Sequence, residues 1–163
     1  MTLKLSPQLH DTCDPTQVFA LYNAYIRSNA WRLPASVPAL TAHPDWSGGS
    51  TSRAPYYSDL EKVTIEGLGS PAALLRLYLR KHQYVQPALL IEITYQGVFA
   101  LDIPGHQALS EAPLIWRYEE FLVHDAYASH GIKDAMFTHQ IEWTTGQVWA
   151  ITASDIEVKW LRP

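Results

Sequence analysis

The stretch 87–104 alternates apolar and polar residues, and a proline stands at each end. This alternation predicts a β-hairpin. If the loop comprises Tyr95, Gln96 and Gly97, one face is wholly apolar, and Gly97 takes the loop position that favours a left-handed residue. A two-residue turn would mix polar and apolar side chains on both faces, because a slip of one residue reverses every side chain. The three-residue loop is therefore predicted, with an apolar face of Ile91, Ile93, Phe99, Leu101 and Ile103.

A second stretch, 141–151, repeats this pattern and aligns without a gap on 91–101. Ile, Glu, Thr, Val and Ala recur at matching positions, and a candidate helix that opens at a proline precedes each stretch. A second hairpin is therefore predicted over 136–152. Either the chain uses an αββ unit twice, or the two hairpins are alike only because both obey a period of two. The predicted inner face of the second hairpin is Phe137, His139, Ile141, Trp143, Trp149 and Ile151.

Helical spacing and capping predict three helices. The first opens with Asp14 as N-cap and Pro15 in the first turn, and it ends near Asn29. The second is predicted over 71–83, and the third over 114–128, where aromatic and β-branched residues would equally suit a strand. With a last strand over 156–161, the expected fold is α+β. It is an antiparallel sheet built from the two hairpins and the C-terminal strand, with about three helices mainly on one face.

The segment 30–59 lacks periodicity and is rich in Pro, Gly, Ser and Thr, which predicts a long irregular loop. Long loops inside a compact domain are often functional. Large amphipathic side chains among small polar residues are typical of recognition surfaces, although the aromatic residues could instead lie buried against the core. The predicted binding residues are Asp45, Trp46, Arg53, Tyr56 and Tyr57.

Composition narrows the class of protein. The 163 residues suit one domain, 1–163, and the 47% hydrophobic content excludes a disordered chain. The net charge of −4 argues against nucleic-acid binding, and the single cysteine excludes an internal disulfide and fits a reducing compartment. We find no signal-like or membrane-spanning apolar run and therefore expect a cytoplasmic protein without a membrane partner.

Candidate chemistry centres on three residues, His124, Asp125 and His139. If the fold brings them together, the two imidazoles and the carboxylate could perform acid–base work. No nucleophile motif accompanies them, and the alternative is a polar helix end plus one core histidine. The segment 10–14 holds His, Asp and Cys but lacks a second, regularly spaced ligand pair, so no metal site is predicted, and no cofactor is expected.

In general character the chain resembles bacterial immunity proteins: it is small, acidic, rich in aromatic residues and α+β, and it lacks a catalytic constellation. The resemblance covers no motif. It implies a protein that neutralises a cognate toxin by direct binding, and an acidic surface with aromatic anchors suits a basic toxin domain. The expected function is thus a protein-binding inhibitor. The alternatives are a small enzyme or ligand binder that uses the histidine cluster, and a phage or assembly subunit.

Overall fold

A computed structural model describes residues 15–47, 53–81, 89–104, 113–124 and 135–161. Within these ranges, three α-helices precede eight strands, and all strands pair antiparallel in two four-stranded sheets. The α+β class is therefore confirmed. The elements in chain order are α1 (Pro15–Asn29), a 3₁₀ turn (Ala30–Arg32), α2 (Ser36–Thr41), α3 (Pro44–Ser47), β1 (Asp59–Glu66), β2 (Leu74–Lys81), β3 (Leu89–Gln96), β4 (Ala100–Asp102), β5 (Trp116–Val123), β6 (Phe137–Trp143), β7 (Val148–Ala153) and β8 (Asp155–Leu161).

Each sheet has three consecutive strands and takes its fourth strand from the other half of the chain. The strand order is β1-β2-β3-β8 in the first sheet and β4-β7-β6-β5 in the second. Where the chain passes between them, the Phe99 amide donates to the Thr152 carbonyl, and the Ser154 amide donates to the Gln96 carbonyl. Gly97 has φ +59°, and a Cβ at this position would collide with the Ser154 side chain. A glycine is therefore required where the pairs β3/β8 and β4/β7 cross.

The first predicted hairpin is wrong, because its two strands, β3 and β4, do not pair with each other. The left-handed residue is Gly97 as expected, but β3 pairs with β2 and β8, whereas β4 pairs with β7. The chain bends at this glycine into the other sheet instead of turning back on itself. Ile91 and Ile93 are buried as predicted, while Phe99 is 53% exposed. Alternation identifies the buried face of a strand, but it does not identify the neighbouring strand.

The expected number of helices, about three, is confirmed, but two of them are wrong in position. The region 71–83 contains β2, and the region 114–128 contains β5, so no αββ repeat is present among the described residues. In β2 the alternate residues Leu75, Leu77 and Leu79 are fully buried, because they face the hydrophobic core. Leucine and arginine favour helices in isolation, and tertiary burial overrides that preference here. The second and third helices lie instead within 30–59, which was expected to be irregular.

Three further structural predictions are confirmed. Helix α1 has the expected bounds, although its predicted N-cap, Asp14, lies outside the described residues, and β6 and β7 form the second hairpin, with Ile141 opposite Trp149 and His139 opposite Ile151. Strand β8 turns Ile156 inward, and the alternate residues Val158 and Trp160 pack against the core. None of the described helices combines the length and apolar character needed to cross a membrane.

The sheets are related by an approximate two-fold arrangement. β1 and β5 each carry a bulge, between Leu60 and Lys62 and between Trp116 and Tyr118. The amide of Leu60 donates to the Leu114 carbonyl, and the amide of Trp116 donates to the Ser58 carbonyl. Since the bulges match Leu60 with Trp116, these two hydrogen bonds are equivalent: in each, the residue at the bulge donates to the carbonyl just before the other strand. β1 and β5 thus occupy equivalent places in their sheets and touch at their first residues.

Helix α1 covers the outer edge of β5. The Tyr22 hydroxyl accepts the amide of Phe121 at 2.7 Å, and the Tyr25 hydroxyl accepts the amide of Val123 at 3.1 Å. Helix α2 buries Val37 and Leu40 and lies against β8. The helical segment therefore closes the side of the molecule where these two strands end their sheets.

Replacing Tyr22 with Phe should lower the free energy of unfolding by about 1–3 kcal/mol, because the Phe121 amide on the strand edge loses its acceptor. The measurement is urea unfolding. Tyr78→Phe is the matched control, since the Tyr78 hydroxyl makes no hydrogen bond to any described residue and the contact of the Lys62 ammonium with the ring is kept. Equal stability of the two variants would contradict the role given to α1.

Candidate functional site

A carboxylate lies in the core of the molecule. The bulge in β5 allows Trp116 and Glu119 both to face inward, although they are an odd number of residues apart. The Glu119 side chain is 2% exposed, and a carboxylate that far from water is strongly destabilising unless hydrogen-bond donors surround it. The neighbouring side chains show how this requirement is met.

Donors from three different parts of the chain form one hydrogen-bonded series. The Trp46 indole N–H donates to Glu119 Oε1 at 2.8 Å, and Glu119 Oε2 lies 2.5 Å from His139 Nε2. The other ring nitrogen, His139 Nδ1, lies 2.7 Å from the Tyr95 hydroxyl. A neutral imidazole with its proton on Nε2 satisfies every contact, because Tyr95 then donates to Nδ1 and Nε2 donates to the carboxylate.

Tyrosines gather around the same carboxylate. Burial raises the pKa of Tyr95 well above its ordinary value, and the negative charge of Glu119 raises it further. The pKa values of Tyr22 and Tyr56 are raised by the same two causes in the same order. These hydroxyls stay protonated at any physiological pH, so Tyr95 remains able to donate to the imidazole.

Aromatic rings enclose the histidine. Phe121 stacks on His139 with 4.0 Å between ring centroids, and the Trp116 ring lies 5.6 Å away. Trp46 is 2% exposed and contacts Trp116, Phe121 and His139. The carboxylate–imidazole–phenol series has the components of an acid–base relay, but every member is buried inside the fold. Its evident effect is to join α3, the first sheet and the second sheet.

The predicted histidine cluster is not assembled. His124 Nδ1 lies 3.4 Å from Thr138 Oγ1, so His124 is on the same face of the second sheet as Thr138. His139 follows Thr138 in β6 and faces the core, because successive side chains of a strand point to opposite sides. Asp125 lies outside the described residues. The buried pairing of Glu119 with His139 was not predicted, since it depends on strand register, although alternation did place His139 on the inner face.

The five predicted binding residues are divided between core and surface. Trp46 is in the core, and Tyr56 is half-buried with Glu119 nearby. Asp45 and Arg53 form an ion pair at 3.0 Å on the surface. Tyr57 is 58% exposed. Whether this set binds a partner stays a prediction, but only part of it lies at the surface.

Two of the surface members, Arg53 and Tyr57, are carried by a firmly anchored loop, residues 53–58, whereas Asp45 belongs to α3. The buried ammonium of Lys81 donates to the Ala54 carbonyl at 2.7 Å, and the Trp160 indole donates to the Arg53 carbonyl at 2.9 Å. The Tyr57 amide donates to the Trp116 carbonyl at 2.8 Å. His43 stacks on Trp160, which extends the same surface toward α3. The 53–58 loop is thus held from both sheets.

Two further findings concern metal ligands and related proteins. Among the described residues, no group of three or more His, Cys, Asp or Glu side chains could hold a metal ion, and the 10–14 segment lies outside those residues. Searches of family models, of curated proteins and of solved structures each returned no match to this chain.

Replacing Glu119 with Ala should lower the free energy of unfolding by about 3–5 kcal/mol, because the Trp46 indole and His139 lose a buried partner. Glu157→Ala is the control, since Glu157 pairs with Lys159 while half-exposed and should cost at most about 1 kcal/mol. Both values come from urea unfolding. Similar values for the two variants would show that the buried series does not stabilise the core.

The raised tyrosine pKa values predict alkaline destabilisation. Above pH 10 the unfolded chain loses phenolic protons that the folded protein keeps, so the free energy of unfolding falls as the pH rises. Tyr95→Phe should reduce that slope by about 1.4 kcal/mol per pH unit. The check is urea unfolding at several pH values from 9 upward. A constant offset from wild type at every pH would contradict this reading of Tyr95.

Proposed function

We propose that this protein binds another protein directly, as an immunity-type inhibitor that neutralises a cognate bacterial toxin. The single observation that carries the proposal is the conformation of Tyr57. It has φ 61°, in the left-handed region, and its side chain is 58% exposed.

Burial of the Tyr57 side chain does not offset the strain of its backbone, because that side chain is more than half exposed. The Ser58 amide donates to the Pro55 carbonyl at 3.0 Å, which closes a four-residue turn with Tyr57 in third place. A turn with positive φ at this position favours glycine, and another residue there costs on the order of 1 kcal/mol or more. An exposed tyrosine that replaces the preferred glycine supports a role in contact with something outside the chain.

The surroundings of Tyr57 suit recognition. Because the 53–58 loop is anchored through Arg53 and Ala54, little conformational entropy would be lost when a partner binds. Tyrosine and arginine are the residue types that most often dominate binding energy, and this loop presents one of each. The partly exposed ion pair of Arg53 with Asp45 can supply a polar rim, since Arg53 belongs to the same loop as Tyr57.

The charge of the chain supports a basic partner. A net charge of −4 favours encounter with a positively charged protein and disfavours acidic ones. A nuclease toxin domain is such a partner, which is why the immunity-type role is preferred here. The enzyme alternative has less support, because its two histidines lie on opposite faces of the second sheet.

Replacing Tyr57 with Gly separates binding from folding. Glycine relieves the positive φ, so the variant should be as stable as wild type or more stable by up to about 1 kcal/mol. Loss of the phenol should nevertheless weaken partner binding at least tenfold. The binding measurement is calorimetry with the stoichiometric partner recovered on tagged wild-type protein from its native host.

Phe99→Ala is the matched control, because it removes another aromatic ring that is about half exposed but lies at the crossing between the sheets. It should bind like wild type. If Tyr57→Gly binds with unchanged affinity, or if Phe99→Ala loses as much, the 53–58 loop is not the binding surface.

A further inference from the structure

The two equivalent edge strands, β1 and β5, differ in what covers their outer edges. Beyond its bulge, the outer edge of β5 is covered by the hydroxyls of Tyr22 and Tyr25. On β1, the stretch 62–66 beyond the corresponding bulge has no backbone hydrogen bond on its outer side from any described residue. An exposed edge of this kind is a template for pairing with another strand.

The equivalence shows which backbone groups face outward. Ile65 occupies on β1 the position that Phe121 has on β5, counted from the matching bulges. Since the Phe121 amide points away from β6, the amides of Val63 and Ile65 point away from β2. Ile65 is also 43% exposed, which is a large fraction for an isoleucine whose strand neighbour Leu75 is fully buried.

The sequence of this edge is complementary to itself. When Lys-Val-Thr-Ile-Glu is read against a second copy in the opposite direction about Thr64, Lys62 opposes Glu66 of the second copy. In the same register Val63 opposes Ile65, so residues with outward-facing backbone groups meet and can exchange both hydrogen bonds. Shifting the axis to Val63 or Ile65 would place a charged residue opposite Thr64. Charge complementarity therefore selects the Thr64 register.

We propose that β1 pairs with β1 of a second copy of this chain, antiparallel about Thr64, and joins the two first sheets into one continuous sheet. Opposite charges directly across an antiparallel pair are stabilising, and a threonine pair at the centre can share a hydrogen bond. Thr64 Oγ1 has no hydrogen-bond partner among the described residues of one copy, and because it is buried there, the side chain would rotate about χ1 to reach the second copy. The surface is independent of the 53–58 loop, so the dimer does not rest on the proposed function.

The charges of the edge are compatible with pairing. Glu66 is bonded to Arg76 through one carboxylate oxygen, at 2.5 Å from Arg76 Nη1, and its side chain is 61% exposed, so the other oxygen can receive a lysine. Bulges and lysines often protect strand edges, but here the bulge ends at Lys62 and the lysine meets a glutamate.

The test is sedimentation equilibrium of the purified protein alone, from about 1 to 300 µM. Dimers with dissociation constants in the micromolar range are measurable at these concentrations. Wild type should show a monomer–dimer equilibrium. Lys62→Glu and Glu66→Lys should each weaken the dimer about tenfold or more, because each places like charges in opposition twice per dimer. The double variant should regain wild-type affinity.

Arg27→Glu and Glu157→Lys serve as controls, because they make the same changes in charge on exposed side chains away from β1. Thermal unfolding of every variant confirms that the fold persists. A monomer at all concentrations would overturn the proposal. So would a charge reversal that weakens the dimer no more than its control, or a double variant that fails to regain affinity.

Discussion

The structure depends on the buried carboxylate of Glu119. Such a group would destabilise the core by several kcal/mol if it were unpaired, and its donors come from parts of the chain far apart in sequence. Trp46 supplies one hydrogen bond from the helical segment, and His139 supplies another from β6. Because Tyr95 of the first sheet holds the other side of the imidazole, the sheets and the helical segment must all be in place before the carboxylate is satisfied. This requirement couples elements that apolar packing alone would leave free to shift.

The same requirement positions the surface. With Trp46 fixed in the core, Asp45 is held beside Arg53, and the carbonyls at the start of the 53–58 loop are held by Lys81 and Trp160. The loop therefore presents Tyr57 from a rigid base, although its backbone conformation is one that glycine would adopt more easily. Buried polar contacts and the exposed residues that we propose for recognition are therefore neighbours along the chain.

The approximate symmetry of the sheets gives the molecule two equivalent edges with different surroundings. Residues of α1 cover the edge of β5, whereas the equivalent edge of β1 carries a short sequence complementary to itself. Because β1 and β5 share their backbone geometry, the difference between their edges comes only from the residues that cover β5. An edge left without hydrogen-bond partners in a compact fold is either protected by its side chains or used for association.

Sequence patterns alone determined the α+β class, helix α1, the hairpin of β6 and β7 with its inward His139, and the inward alternation of β8. These features depend on local capping or on a period of two, which is visible without knowledge of neighbours. Only the tertiary structure decided that β2 and β5 are strands, that β3 and β4 belong to different sheets, and that Trp46 is a core residue bonded to Glu119. Each of these depends on contacts between residues distant in sequence. Burial of one strand face in the core outweighs helix preferences of a few tenths of a kcal/mol per residue, and no local pattern records which strand or carboxylate will be the partner.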